Sequence, residues 1–193
     1  MTAAARLLFF AGSARTASHN KKLARLGAMI AEANGIPATF LDLADYPMPI
    51  YHGELEASDG KPENARKLEA VMQAHSGIFI ASPEYNASIA PLLKNALDWV
   101  SRSNDGVPQQ VFKTRVFALG SASSGGMGGL RGLITVRSVL ELGLGALVLP
   151  DQFAVPRAHE GFGDDGHLKN KDAQESFKAL IQKLARAAHV LHG

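Results

Sequence analysis

The chain has 193 residues, 46% hydrophobic and 20% charged, with a formal net charge of +2 and no cysteine. This composition suits a medium-sized globular protein with a buried core, and it excludes a disordered chain, a disulfide scaffold, thiolate catalysis and Cys-ligated metals. No run of Lys and Arg marks a nucleic-acid face, no apolar stretch approaches the ~20 residues that span a bilayer, and Met1–Arg6 with Leu7–Ala11 is too short for a secretory signal, so a cytoplasmic protein is expected.

Leu7-Leu8-Phe9-Phe10-Ala11 reads as a first strand, and Gly12 then opens a hydroxyl-rich loop that runs to Asn20. A helix follows with Leu23, Leu26 and Ile30 on one face. Ala38–Leu43 is a short second strand, and residues 46–60, rich in Pro, Gly and acidic side chains, read as a long surface loop. Pro62–His75 has helical spacing. Gly77–Ala81 is a continuous apolar run, as expected of a strand covered on both faces. After the polar turn Ser82–Ser88 comes a helix over Pro91–Ser101, then a second long loop over 102–110 and a fourth strand, Arg115–Leu119. The Gly/Ser loop 120–129 leads to a helix from about Leu130 to Leu142 and a final strand, Ala146–Leu149. A loop over 150–166 and a closing helix, Ala173–Leu191, complete the chain.

Strand and helix alternate five times, and right-handed crossovers turn that order into a parallel sheet with helices on both faces. No repeat or linker divides the chain, so one doubly wound α/β domain over residues 1–193 is expected, with five strands in the order 2-1-3-4-5. Its ligand belongs at the carboxyl ends of the strands. The loops after strands one, three and four converge there.

Each loop has a functional and a bland reading. Residues 12–20 offer Ser13, Arg15, Thr16, Ser18 and Asn20 at a helix start, where free N–H groups and the helix dipole attract a phosphate; a polar N-terminal cap uses the same residue types. The loop has neither the Walker lysine nor the second glycine of a dinucleotide fingerprint. Pro83-Glu84-Tyr85-Asn86 is either a turn or a platform on which Tyr85 covers a flat heterocycle. Residues 120–129 are either a flexible turn or a stretch whose glycines let backbone approach a ligand closely. Other features carry less. Arg102 reads as a solvated cation or as a partner for an anionic ligand, Tyr51 and His52 as loop decoration or as side chains overhanging the ligand, His19 as a neighbour of the first loop, and Trp99 as packing. No histidine spacing suggests a metal site.

Gly-Ser-x-Arg-x-x-Ser-x-Asn after the first strand, with Pro-Glu-Tyr-Asn followed by Leu92–Trp99, resembles the NADPH-dependent FMN reductases, a flavodoxin-like family that includes quinone, chromate and azo-dye reductases. The resemblance runs from Leu7 to at least Leu149. It implies that Ser13, Arg15, Ser18 and Asn20 bind the FMN phosphate, that Pro83, Glu84, Tyr85 and Asn86 border the ring, and that Ser121, Gly125 and Gly126 reach its pyrimidine side. It further implies NADPH or NADH as hydride donor, a quinone, azo compound, chromate or free flavin as acceptor, and a homodimer or homotetramer. The flavin carries the chemistry, so no catalytic acid or base is assigned. The alternatives are a flavodoxin-type electron carrier, against which Arg15 and the slight positive charge speak, and a non-enzymatic nucleotide-sensing subunit.

Overall fold

In the computed structural model, which describes residues 5–102 and 110–192, β1 (Leu7–Ala11) is buried throughout. Successive side chains of a strand point to opposite faces, so β1 serves two cores: Leu7, Phe9 and Ala11 face one way, Leu8 and Phe10 the other. β1 lies between β2 (Ala38–Asp42) and β3 (Gly77–Ala81), both parallel to it, and β6 (Val116–Ala122) and β7 (Leu147–Val155) extend the sheet beyond β3. Ignoring the small β4–β5 hairpin (Glu84–Tyr85 with Ser88–Ile89), the strand order is 2-1-3-4-5, as expected.

Two helices, α1 (His19–Ala33) and α8 (Lys171–His192), cover the first face. The second face is covered by α3 (Glu63–Gln73), α4 (Pro91–Val100) and α6 (Leu130–Ser138), the last continued by a π-turn over Val139–Gly143. Phe79 sits at the centre of the first core, 5.8 Å from the Phe9 ring and 5.3 Å from the Phe177 ring. It also dictates a glycine in the next strand, because a Cβ on Gly120 would come 2.6 Å from Phe79 Cζ.

Several boundaries differ from the sequence expectation, each for a tertiary reason. The fourth main strand continues through Gly120, Ser121 and Ala122, which pair with Phe153, Ala154 and Val155. β7 likewise runs through Pro150 to Val155 instead of ending at Leu149. It is an edge strand, and the register shifts between Phe117, opposite Val148, and Leu119, opposite Gln152, so Pro150 falls in the irregular stretch where a ladder hydrogen bond is not needed.

The span 46–60 is not all loop: a 3-10 turn (Leu43–Asp45) precedes it and a short helix, α2 (Gly53–Asp59), closes it. His52 caps α2, its Nδ1 accepting from Leu55 N at 3.2 Å. Tyr51 is no free decoration either. Its ring meets Trp99 edge-on at 5.0 Å and its hydroxyl donates to Glu56, while Arg102 lies over the ring. Trp99 and Asn95 both donate to Pro49 O, at 2.8 and 2.9 Å, and this pins the segment to α4. The loop expected over 102–110 lies, apart from its two ends, outside the described residues. The remaining helices, α5 (Gln110–Lys113) and α7 (Ala158–Gly161), are single turns. No helix among the described residues is long and apolar enough to cross a membrane.

Phe79→Ala removes the centre of the first core and should lower unfolding free energy by about 3–5 kcal/mol in a denaturant titration. A loss below about 1 kcal/mol would show that the three rings do not pack as a unit.

Candidate active site

β1, β3 and β6 are adjacent, so the chain leaves their carboxyl ends side by side. The backbone is stitched there by Gly12 N donating to Ala81 O at 2.9 Å and Ser82 N to Gly120 O at 2.8 Å. Above them lies a cleft of about 320 Å³ lined by Ser13, Arg15, Ser18, His19, Asn20, Pro83, Glu84, Tyr85, Ala122, Ser123 and Ser124. A larger cavity, about 590 Å³, lies around Gln73 and Arg115, at the opposite, amino-terminal ends of β3 and β6. There the guanidinium is already engaged by Gln73 O and by Thr114, so it serves the end of α3.

The first loop forms the polar cap and leaves helix donors facing the cleft. Ser18 is the N-cap of α1, its hydroxyl accepting from Lys21 N at 3.4 Å, and Ser13 Oγ accepts from Arg15 N at 3.3 Å. With Lys21 N capped, His19 N–H and Asn20 N–H remain without an intrahelical acceptor, as the first turn of a helix requires. Arg15 is exposed and engages no ion pair among the described residues.

Asn20 has a different task from the other three. Its amide is 4% exposed and bonds both backbone groups of Ala122, Nδ2 donating to the carbonyl and Oδ1 accepting from the N–H, each at 2.9 Å. The side chain thus bolts α1 to the end of β6, and its own N–H is what it offers the cleft.

In the second loop, Tyr85 is 47% exposed at the rim. Asn86 and Ala87 are the two central residues of the β4–β5 turn, both with positive φ (50° and 63°), a conformation that asparagine tolerates well; Asn86 is absent from the cleft lining. The Glu84 carboxylate is turned to α6, accepting from Arg131 Nε at 2.9 Å and Gly132 N at 3.1 Å. Burial pushes this carboxyl up, but the bonds from Arg131 and Gly132 outweigh it and hold the group below the ordinary carboxylate range. The one carboxylate among the described residues that line the cleft is therefore neutralised.

The third loop contributes residues other than those the sequence picked. Ser121 is fully buried in β6, its hydroxyl donating to Gly128 O at 2.7 Å, and neither it nor Gly125 nor Gly126 lines the cleft; Ser123 and Ser124 do. The demand for glycine also arises elsewhere. Gly128 (φ 62°) and Gly129 (φ 90°) are left-handed, and a Cβ on Gly128 would come 2.8 Å from Pro156 N. The glycines let the loop fold back on the end of β7, whereas a Cβ on Gly126 would meet open space. Spacing alone gave no sign of this, because it requires knowing that β7 reaches Val155.

The donor set is thus one exposed guanidinium, small hydroxyls and free helix N–H groups beside an exposed aromatic ring. It fits a ligand with an anionic tail and a flat body.

The sequence model of the NADPH-dependent FMN reductase family matches residues 5–160. The chain belongs to that family. It is 35% identical to a probable NADPH:quinone oxidoreductase 2 of Oryza sativa, covering 98% of this chain and 92% of that protein. It is 31% identical to an NAD(P)H-dependent FMN reductase of Pseudomonas aeruginosa, covering 97% of each. The solved structure of the flavoenzyme NAD(P)H:(acceptor) oxidoreductase FerB from Paracoccus denitrificans superposes with a TM-score of 0.78 at 22% identity over 98% and 99% of the two chains, which supports the fold. The chain is accordingly an oxidoreductase of flavodoxin-like fold.

Two outcomes check the roles assigned to these loops. Gly128→Ala should destabilise by about 1–3 kcal/mol, while Gly126→Ala stays within about 0.5 kcal/mol, both read by thermal or denaturant unfolding. Glu84 has a depressed folded pKa, so its contribution is present above the unfolded value, about 4.3, and is lost as pH falls through the folded value. Stability of Glu84→Gln should therefore fall short of the parent protein at pH 6 and converge with it in acid. A gap that stays constant down to pH 3 would contradict the assignment.

Proposed function

We propose that this protein is an FMN-dependent NAD(P)H:quinone oxidoreductase working as one flavin-binding domain. The observation that carries the proposal is the cleft at the ends of β1, β3 and β6, where an unpaired Arg15 and the free N–H groups of α1 stand beside Tyr85, in a chain of the FMN reductase family.

Arg15, the hydroxyls of Ser13 and Ser18, and the N–H groups of His19 and Asn20 would hold the phosphate; the arrangement supports this because they are anion donors and, among the described residues lining the cleft, the one carboxylate, Glu84, is already paired. Pro83, Tyr85 and the backbone around Glu84 would border the ring on one side, and Ser123 and Ser124 on the other. When bound, FMN supplies the redox chemistry, taking electrons from NAD(P)H and passing them to a small acceptor. The protein binds and orients, and Ser18 and Asn20 do so before any ligand arrives, because cap and bolt are already formed. Backbone donors near the ring would stabilise negative charge on the reduced flavin.

A quinone is the favoured acceptor because the rice relative carries that activity in its name. Azo compounds, chromate and free flavin suit the same open site. NADPH as the preferred donor, a homodimer or homotetramer, and a cytoplasmic location complete the proposal; exposed Ile50 (84%) and Ile134 (64%) are compatible with a surface that another copy covers.

The test is direct. Purified protein should bind FMN with a clear rise in Tm, oxidise NADPH faster than NADH, and reduce a quinone in the same assay. Arg15→Gln should weaken FMN about tenfold or more while leaving riboflavin binding nearly unchanged. Absence of any FMN-induced shift would remove the proposal's support, and sedimentation as a monomer would overturn the oligomer.

A further inference from the structure

The imidazole of His19 has no task in that reading, where only its backbone N–H is used, yet it is built into the cleft. It is the first residue of α1, it lines the site beside Ser13, Arg15 and Ser18, and its Nδ1 is buried with no partner among the described residues. A buried ring nitrogen without a partner carries a desolvation penalty that a ligand atom would relieve. We infer that His19 is a proton-accepting ligand of the FMN phosphate: neutral in the free protein, it takes a proton from solvent as FMN binds and donates an N–H to a phosphate oxygen. The inference rests on the proposed flavin site.

The charges around the ring favour this sequence of states. Lys22 faces it along α1, Arg15 from the loop after β1, and His159 from α7, the last 3.1 Å from Glu160; Glu84 lines the same cleft but accepts from Arg131 and Gly132 N. Burial first, then the cations Lys22 and Arg15 and the neighbouring His159, hold His19 below the ordinary histidine range while the cleft is free. A dianionic phosphate among the same residues reverses the balance. It pairs with Arg15, offsets Lys22, and places an acceptor where Nδ1 lacks one.

The sign of the linkage follows. His19 is raised from a depressed value on binding, so FMN affinity falls as pH rises from the free ring's value through the bound ring's value, and is level above it. Riboflavin, which has the ring and ribityl chain but no phosphate, should show none of this.

The experiment titrates FMN and riboflavin into the flavin-free full-length protein by calorimetry at pH 7.5, in buffers of different ionisation enthalpy. At that pH a phosphate monoester, with its second pKa of about 6, is already dianionic. The parent protein should take up a measurable fraction of a proton with FMN and none with riboflavin. His19→Gln, or His19→Asn if the first variant does not fold, should lose the uptake. At pH 6.5 the variant should bind FMN about tenfold more weakly, the scale of one charge-assisted hydrogen bond, with riboflavin affinity unchanged. In proton NMR, the imidazole signal missing from the variant should titrate at higher pH with FMN than without. Unchanged uptake and FMN affinity in the variant, or a His19 signal that does not move, would overturn the inference while leaving the flavin site standing. Failure of both FMN and riboflavin to bind would overturn the flavin site and this inference with it.

Discussion

The amide of Asn20 makes the pair of hydrogen bonds to Ala122 that a further strand would make, and the rest of the site depends on that bolt. A helix N-terminus is useful to an anion only if its N–H groups stay where they are, because donors that must reorganise lose much of their advantage. Here the first turn of α1 is fixed from three directions. Asn20 ties it to the end of β6. Lys21, almost wholly buried, donates to Ala14 O at 3.2 Å and pairs with Asp42 at 2.7 Å, joining it to its own loop and to the end of β2. Ser18 caps it. Losing either partner of the Lys21–Asp42 pair would leave a buried charge uncompensated, a larger cost than the pair's net worth.

Charge is managed with the same economy. An anion site needs its carboxylates occupied, and Glu84, in the middle of the second loop, is occupied by Arg131 and the N–H of Gly132. That contact also sets the hairpin β4–β5 against α6, where a Cβ on Gly132 would come 3.1 Å from both Glu84 Cβ and Ser88 O. One ion pair therefore neutralises the cleft and positions Tyr85 at its rim. Arg15 lines the cleft with no ion pair among the described residues, which agrees with a protein that receives anionic cofactors and not with an acidic electron carrier.

The glycines of the third loop show how a correct motif can have an unexpected cause. Close backbone approach is their purpose, but the partner is the chain itself: Gly128 and Gly129 lie against Val155, Pro156 and Ser121. The positions that line the cleft are Ser123 and Ser124. The loop is thereby a closed latch, held by Ser121 to Gly128 and by Arg157 N to Gly125 O, which limits the freedom its composition suggests.

Periodicity and punctuation in the sequence determined the five main strands, their order, the helices at α1, α3, α4 and α8, and the three loops that meet, because each is written in local residue pattern: LLFFA and GIFIA buried on both faces, Pro91 opening a helix, Gly12 ending a strand. The residue types of the first loop were legible for the same reason. Only the tertiary structure decided how each residue is used. It extended β6 and β7 into apparent loop because two edges found each other across a register shift at Pro150. It turned Asn20 and Ser121 inward, put Ser123 and Ser124 in the cleft lining, and left the Nδ1 of His19 buried and without a partner among the described residues. Those outcomes depend on partners separated by many residues in the chain, such as Asn20 and Ala122, and no local pattern records which distant backbone group will meet a given side chain.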